Sequence, residues 1–451
     1  TEFYNSFLTV MLNQTCFLKF FSSFDHPNKA EKCDSSPTDA PIPCENSSEY
    51  SLRLICYKDK LFKSYQEKVE AISKSLVNAD RITEKGKTMR FTYKKIGSKP
   101  SRGYRMYIGF HSRGNNDPAL KQSSNEANWK AMQAAFEPPE GSIYLTPCAP
   151  EDEPDMWYRG YIIKMLKRLI IAFVAQRIAD PQYVFFIGYA EGYFGATELL
   201  SVLSERVAGG LIATGFPNFH EQFLTLVRSF NDFCFVTNFP HYVIGEEVKK
   251  LLQESMPVYS KDLFDGAEAI KQIYRVFDIM KEKEKITSVN FETSFVKTYS
   301  KDLKTPEKQQ DAIKESFEYL SSGFSRDPNP STLIWHLNSQ FFNRSFYYLT
   351  TPKPYNSGSG CIVLIKSKEK GIRIYCENVK DIILRLDEDD FAVSEKHKKN
   401  KDIIVSINGR IKAYTCVSPN LDNVKNTMAT SGDPYLTWSR ELHINVKKHS
   451  Q

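Results

Sequence analysis

Short apolar runs alternate with segments of helical apolar spacing between residues 141 and 239, and this alternation restricts the fold more than any other feature of the chain. The runs predicted as strands are GSIYLTPC, QYVFFIGY, GGLIATG and DFCFVTNF, and the segments predicted as helices are YIIKMLKRLIIAFVAQRI, ATELLSVLSERV and FHEQFLTLVRSF. Apolar strands joined by helices favour a mainly parallel sheet with helices on both faces. The predicted fold class is therefore α/β.

The flanking residues extend this pattern in both directions. A long amphipathic helix is predicted over residues 50–76, followed by the strands TMRFTYKKI and YRMYIGF and by the turn-forming cluster HSRGNND. Downstream, helices are predicted in EEVKKLLQES, AEAIKQIYRVFDIMKEKEK and EKQQDAIKESFEYLSSGF, and a strand in ITSVNFETSFV. These additions lengthen the predicted sheet without changing its class.

After SRDPNPS the chain changes character. Short strands separated by turns are predicted in TLIWHL, RSFYYLTT, GCIVLIKS, GIRIYCE, DIILRLD, DIIVSIN and IKAYTCV, with one helix in NVKNTMATSG. We therefore predict an N-terminal extension and linker over residues 1–49, an α/β domain over 50–325 and a smaller β-rich C-terminal domain over 326–451. The aromatic-rich start of the extension is interpreted as a docking or core helix.

Net charge and cysteine content restrict the partners and the cellular compartment that we expect for this protein. Sixty Lys and Arg residues against 54 Asp and Glu give a net charge of +6, which permits an acidic protein partner but is not typical of a nucleic-acid binder. No window approaches the roughly 18 apolar residues of a membrane span. The nine cysteines form no C-x-x-C pair, so we expect reduced thiols in an intracellular, cytoplasmic protein, with a bridge among the four before residue 57 left open.

The stretch FFIGYAEGYFG, residues 185–195, places Gly188 and Gly192 around a short turn between a predicted strand and a predicted helix. This is the spacing of the nucleophile elbow, G-x-S-x-G, which holds a serine hydroxyl above an α/β sheet. Here the central residue is Ala190, which has no hydroxyl group. The pattern therefore predicts the elbow without its nucleophile.

The surrounding motifs resemble α/β-hydrolases of the esterase and poly(3-hydroxybutyrate) depolymerase-like family. The resemblance covers roughly residues 80–445, through YIGFHSRGNND, NEANW, TPCAPEDEPDMW, ADPQYVFFIGYAEGYFG, ATGFPN, PSTLIWHLNSQFFNRSFYYL, ENVKDIILRLDED, INGRIKAY and SGDPYL. It implies an α/β-hydrolase fold, a Ser-His-Asp type triad and an oxyanion loop after an early strand. Residues His111, Ser112, Arg113 and Gly114 would form that loop.

The departures from the family pattern predict that the catalytic apparatus has degenerated. Ala190 replaces the serine and is followed by Glu191, and Ser112 and Arg113 replace glycines of the oxyanion loop. We interpret VTNFPHYVIGEE as the acid segment, with Asn238 and Phe239 at the turn where an aspartate would stand. FETSFVKTYSKDLKTPEKQQ, where the resemblance implies the base, contains no histidine. A chain without nucleophile and base cannot form or resolve an acyl-enzyme.

The predicted function is therefore structural or interaction-based, without catalytic residues, metal or cofactor. We expect protein partners within a larger intracellular assembly. Charge suggests an acidic filament such as a microtubule, hence a cytoskeletal location. The lysine-rich run at residues 394–403 is either a solvated loop or a contact with an acidic partner. Neither nucleic acid nor a small-molecule ligand is expected.

Three alternatives stay open from the sequence. Ser112 beside His111 could serve a rearranged ester hydrolase, although neighbours on extended chain point apart. Carboxylates could act as an acid/base pair, but they are more typical of a solvated loop with helix caps; these are Asp152, Glu153, Asp155 and Glu191. The old acyl pocket could also bind a small acyl ligand without catalysis.

Overall fold

The computed structural model describes most of both predicted domains. The described residues are 48–111, 121–151, 157, 159–188, 192–212, 241–244, 296–299, 306–321, 325–330, 332–337, 344–352, 360–367, 371–377, 379–387, 403–414 and 419–446. The aromatic-rich segment before residue 26, the helices predicted between 219 and 285, and the strand predicted at 232–239 lie outside these residues.

An eight-stranded sheet forms the first domain. Its strands are β1 (Arg81–Glu84), β2 (Lys87–Ile96), β3 (Tyr104–Phe110), β4 (Ser142–Cys148), β5 (Ala179–Gly188), β6 (Gly209–Ile212), β7 (His241–Ile244) and β8 (Val296–Tyr299). They are ordered β1-β2-β4-β3-β5-β6-β7-β8. Strand β2 is antiparallel to its neighbours, and all pairs from β4 to β8 are parallel. This strand order is that of the α/β-hydrolase fold.

Helices lie on both faces of this sheet, as predicted. They are α1 (Ser48–Asn78), α2 (Lys121–Ala135), α3 (Gly160–Ala175), α4 (Gly192–Leu203) and α5 (Pro306–Ser321). Alternate residues of β5 enter two separate cores, because Phe186 packs with the apolar face of α3 and Phe185 packs with Phe317 of α5. A strand covered on both faces needs a continuous apolar run, which VFFI provides.

The second domain is a β-sandwich. One sheet contains β10 (Ser345–Phe346), β11 (Leu349–Thr350), β14 (Asp381–Leu386) and β17 (Arg440–Asn445). The other contains β9 (Thr332–Leu337), β12 (Gly360–Ser367), β13 (Gly371–Glu377), β15 (Ile403–Ile407) and β16 (Arg410–Tyr414). Apolar residues of both sheets share one core, so the sheets pack face to face. The predicted β-rich character of this region is confirmed; the predicted domain limits stay predictions.

Helix α6 (Leu421–Ser431) connects the sandwich to the first domain. Asn420 caps its start by accepting a hydrogen bond from the Asp422 backbone, and Gly432 ends it in the left-handed conformation, with φ of 62°. Val424 packs against Leu54 of α1. A side chain on Gly432 would collide with the Tyr65 hydroxyl, 2.6 Å from the ideal Cβ position. The helix therefore lies directly against α1.

A buried ionic cluster joins the two domains at this contact. Arg326 donates two hydrogen bonds to Asp433, from Nη1 to Oδ2 at 2.6 Å and from Nη2 to Oδ1 at 3.0 Å. Arg206 Nη1 lies 3.5 Å from the same carboxylate. Glu205 lies 3.5 Å from Lys167 Nζ and accepts a hydrogen bond from the Tyr347 backbone. Several charged side chains are thus buried where the sheet domain meets the sandwich.

Cysteine pairing departs from one expectation. Cys56 in α1 is disulfide-bonded, whereas Cys148 and Cys376 are not in disulfides. The expectation of reduced thiols is therefore wrong for Cys56, one of the four cysteines before residue 57. A disulfide persists where the surroundings are oxidising, so this bond gives no support to a reducing compartment. None of the helices that the structure describes is both long and apolar enough to cross a membrane.

Candidate functional site

The candidate site lies at the carboxyl ends of β3, β4 and β5, the edge where open α/β sheets place their ligands. Strand β3 ends at Phe110, which pairs with Gly188 at the end of β5. Helix α4 begins only four residues later, at Gly192. Three residues therefore separate the end of the strand from the start of the helix.

Gly192 lies against the end of β3 so closely that only glycine fits. An ideal Cβ at this position would be 2.0 Å from the Phe110 carbonyl oxygen and 3.0 Å from the carbonyl carbon of His111. Three residues on, Gly195 faces the Trp157 ring, with its ideal Cβ 2.4 Å from Cγ. Close packing of the helix start therefore explains the glycines at positions 192 and 195.

Replacing Gly192 by alanine is expected to destabilise the protein by about 1–3 kcal/mol, because the added methyl group would overlap strand backbone that cannot move freely. Urea unfolding would measure the change. Gly409→Ala is the control, since its Cβ would enter open space and meet only the backbone strain of φ at 85°. Equal losses in the two variants would contradict the close-packing explanation.

His111, predicted in the oxyanion loop, holds two segments together. Its Nε2 accepts a hydrogen bond from the Ala149 backbone at 3.1 Å, and its carbonyl oxygen accepts one from Trp157 Nε1 at 3.0 Å. The imidazole is 1% exposed and packs edge-on against the Trp157 ring. Because its Nε2 lone pair is occupied by a backbone donor, this nitrogen is not free to act as a base.

Trp157 is the residue whose importance was missed in the sequence. Its ring contacts Phe110, at a centroid distance of 5.0 Å, as well as His111 and Gly195. It therefore fills the space between the end of β3 and the start of α4. The only signal in the sequence was its place at the end of TPCAPEDEPDMW.

Glu151, the first carboxylate of the acidic run after β4, is engaged in an ion pair. Its side chain pairs with Lys87 and accepts a hydrogen bond from the Tyr161 hydroxyl. The hydrogen bonds from Lys87 and from Tyr161 hold the pKa of Glu151 below its usual value. An ionised, paired carboxylate cannot donate a proton, so Glu151 is suited to structure rather than to acid catalysis.

Most predicted site residues lie outside the described part of the chain. Gly188, Gly192 and His111 are described, and they lie together at one edge of the sheet. The others are Ala190, Glu191, Ser112, Arg113, Gly114, Asp152, Glu153 and Asp155, and their predicted roles stay predictions. Among the described residues, no group of three or more His, Cys, Asp or Glu side chains could hold a metal ion.

The strand positions correct the predicted location of the acid. Asn238 and Phe239 were assigned to the turn after the seventh strand, but β7 begins after them, at His241. In the sequence the end of β7 is followed by Gly245, Glu246 and Glu247. The sequence prediction placed this strand at DFCFVTNF, residues 232–239, which lie outside the described part of the chain. Two carboxylates therefore follow β7, and the loss of the acid is no longer supported.

The segment between β8 and α5, where the resemblance implies the base, contains no histidine. Strand β8 ends at Tyr299 and α5 begins at Pro306, and the six intervening residues are SKDLKT. No histidine occurs anywhere between His241 and His336. The segment between β8 and α5 thus has no residue of the type that activates a serine.

Comparisons with solved structures return proteins that include an esterase and a depolymerase, all at low similarity. A thermostable esterase matches at 14% identity over 56% of this chain and 64% of its own, with a TM-score of 0.31. The poly(3-hydroxybutyrate) depolymerase LpqC of Bordetella parapertussis matches at 9% identity over 54% of this chain and 90% of its own, with a TM-score of 0.32. The BES protein of Bacillus cereus matches at 10% identity over 53% and 94%, with a TM-score of 0.31.

The chain thus spans less than two thirds of the thermostable esterase. No protein-family model matches it, and no curated protein matches it. The likenesses are too weak to bear on activity. The fold assignment rests on the strand order itself.

Proposed function

We propose that this chain is a catalytically inactive α/β-hydrolase-like protein with a structural or protein-interaction role. One observation carries the proposal. Residue 190, between the end of β5 at Gly188 and the start of α4 at Gly192, is alanine. The nucleophile of an elbow stands at this place, and a methyl group cannot attack a carbonyl carbon.

The missing base supports the same proposal. A serine alcohol is a weak nucleophile until a neighbouring base removes its proton, and no histidine stands between β8 and α5. His111 does not replace it, because its Nε2 already accepts a hydrogen bond from Ala149. This contact also disfavours the alternative of a displaced Ser112–His111 pair.

An interaction role follows from the surfaces that a hydrolase-like fold retains when its catalytic residues are lost. A fold without its site still presents surfaces, and this chain adds a β-sandwich and a mild positive charge. We propose a role within a larger assembly, with an acidic filament such as a microtubule as the candidate partner. Co-sedimentation of the full chain with polymerised tubulin at low salt tests this candidate. Recovery in the supernatant alone would rule it out.

Catalytic inactivity is tested by hydrolysis of p-nitrophenyl esters of short and medium acyl chains, with Ala190→Ser measured in parallel. We expect neither protein to exceed the uncatalysed rate, because loss of a triad costs about 10⁶-fold in kcat and a restored hydroxyl still has no base. A fluorophosphonate probe provides a second readout, and neither protein should be labelled.

Two other outcomes would change the conclusion. Turnover by the unmodified chain would overturn the proposal, and Ser112→Ala would then be the next variant. Turnover by Ala190→Ser alone would mean that a base and an acid are present and that only the nucleophile was lost. Glu246→Gln and Glu247→Gln would then identify the acid.

A further inference from the structure

The first turns of α1 present two exposed apolar side chains. Leu52 is 60% exposed and Ile55 is 52% exposed, and because they are three residues apart they lie on the same side of the helix. Leu54, between them in the sequence, is buried and packs with Val424 of α6. Leu52 and Ile55 therefore lie outside the contact that holds this end of α1 in place.

Cys56 lies beside these apolar side chains and is disulfide-bonded. It is four residues after Leu52, hence about one helical turn further along the same side. It is also two residues after Leu54, a rotation of about 200° around the helix axis, so it faces away from α6. The disulfide therefore attaches a second segment of the chain to α1 beside Leu52 and Ile55.

The sandwich domain contacts the opposite side of α1. Lys58 lies on the α6 side of the helix, and its Nζ is 2.8 Å from Oδ2 of Asp387, directly after β14. Cys361 in β12 and Cys416, two residues after β16, belong to this domain. The position of the sandwich therefore disfavours both as the partner of Cys56.

The other cysteines after α1 are excluded by their state or by distance. Cys148 and Cys376 are not in disulfides. Cys234 lies seven residues before β7, which is a span of about 25 Å at most. Strand β7 is six strand positions from β1, the edge strand that packs with α1, and this corresponds to about 29 Å. Cys234 is therefore too far away, and we expect the partner of Cys56 in the N-terminal extension.

The extension meets the distance requirement. It contains Cys16, Cys33 and Cys44. Cys44 is four residues before Ser48, the first residue of α1, and four extended residues span about 14 Å. Cys56 is eight residues after Ser48, about 12 Å along the helix, so Cys44 reaches it when the chain turns back along α1. Of the three, Cys44 gives the shortest loop, which has the lowest cost in conformational entropy.

We propose that the N-terminal extension turns back over the first turns of α1, packs against Leu52 and Ile55, and is fixed there by a disulfide between Cys44 and Cys56. Seven of the first 24 residues are Phe or Tyr, so the extension has the apolar side chains that such packing requires. The bond forms when the two thiols pass two electrons and two protons to glutathione disulfide, which becomes two glutathione thiols. This inference concerns a surface other than the candidate site, and it holds whether or not the chain is catalytically active.

Digestion of the full chain by trypsin and Asp-N without reduction tests the bond. Cleavage isolates Cys56 in residues 54–58 and Cys44 in residues 39–53, and it separates both from Cys33. Mass spectrometry should find these two peptides linked, with the link removed by dithiothreitol. A link from Cys56 to any other cysteine would overturn the proposal, and so would a Cys56 thiol that is alkylated before reduction.

Packing of the extension is tested by the equilibrium of the disulfide with glutathione, because contacts made only when the extension is docked favour the oxidised form. The double variant Leu52→Asp with Ile55→Asp should lower the equilibrium constant for disulfide formation at least about tenfold, since it removes the apolar contact. The matched control is Ile72→Asp with Ser75→Asp, which places two charges at the same spacing on exposed positions further along α1. Equal constants in the two variants would indicate a bond without packing and would overturn the proposal.

Discussion

Replacing Asp433 by alanine is expected to destabilise the protein by about 3–5 kcal/mol. Asp433 is the shared acceptor of Arg326 and Arg206, and all three side chains are at most 3% exposed. Removing the carboxylate would leave the buried Arg326 guanidinium without the carboxylate it pairs with, and it would take one carboxylate partner from Arg206, which also pairs with Glu205. An uncompensated buried charge is costly. Denaturant unfolding followed by tryptophan fluorescence measures the loss.

Asp422→Ala is the control, because this aspartate of α6 is exposed and pairs only with Lys425 across one helical turn. We expect a loss below about 1 kcal/mol there. If Asp433→Ala were equally mild, the cluster would not connect the domains as described. The double variant Arg326→Met with Asp433→Leu replaces both partners by apolar residues, a change that is often neutral. Comparing its unfolding free energy with that of Asp433→Ala separates the cost of an unpaired buried charge from the net contribution of the ion pair.

Lowering the pH should reduce the contribution of the Asp433 carboxylate to stability. Burial alone would raise the pKa of Asp433, but the charge and hydrogen bonds of Arg326 hold it below the ordinary value of 3.8. A carboxyl group with a lowered folded pKa contributes its stabilisation in full above the unfolded value and loses it as the pH falls through the folded value. The stability difference between wild type and Asp433→Ala should therefore be constant near neutrality and shrink below about pH 4.

Replacing Trp157 by alanine is expected to cost about 3–5 kcal/mol as well, since a fully buried indole ring would leave a cavity. The ring is 2% exposed, and it also donates the hydrogen bond that fixes the His111 carbonyl oxygen. The loss should appear both in the unfolding free energy and in faster hydrogen exchange at the end of β3.

Trp157→Phe distinguishes the two contributions. Phenylalanine keeps much of the packing against Gly195 but cannot donate to His111, so an intermediate loss is expected. Trp129→Phe is the matched control, because Trp129 is similarly buried and donates its own hydrogen bond to the Thr146 carbonyl oxygen. Unchanged exchange at β3 in Trp157→Ala would contradict the role assigned to this ring.

The strands predicted most accurately are those whose apolar residues form a clear pattern in the sequence. Strand β5 contains the uninterrupted apolar run VFFI, and its position was predicted to within a few residues. Strand β1, with the sequence RITE, was missed because only Ile82 is buried and its neighbours are charged or polar. Strand β17 was missed for a related reason, since Arg440 is buried there and breaks the expected apolar alternation.

The candidate site also contains features that the sequence could predict and features that it could not. The need for glycine at position 192 could be predicted from the motif spacing, because a sharp turn against a neighbouring strand excludes a side chain. The contact of His111 with Ala149 could not, since it joins residues 38 apart whose pairing depends on how β3 and β4 are placed. The arginines that pair with Asp433 are still further from it in the sequence, by 227 and 107 residues, and no local pattern identifies them.

The cluster also has a consequence for the order of events during synthesis. Arg206 precedes its carboxylate partner by 227 residues, and Arg326 precedes it by 107. At ordinary translation rates the first interval corresponds to about 10–45 s. Throughout that time the nascent chain holds the Arg206 guanidinium without the Asp433 carboxylate, and over the last 107 residues it holds Arg326 in the same state. The domain therefore cannot reach its final packing before residue 433 has been synthesised, and chains released before that residue are the ones that chaperones and proteases would encounter.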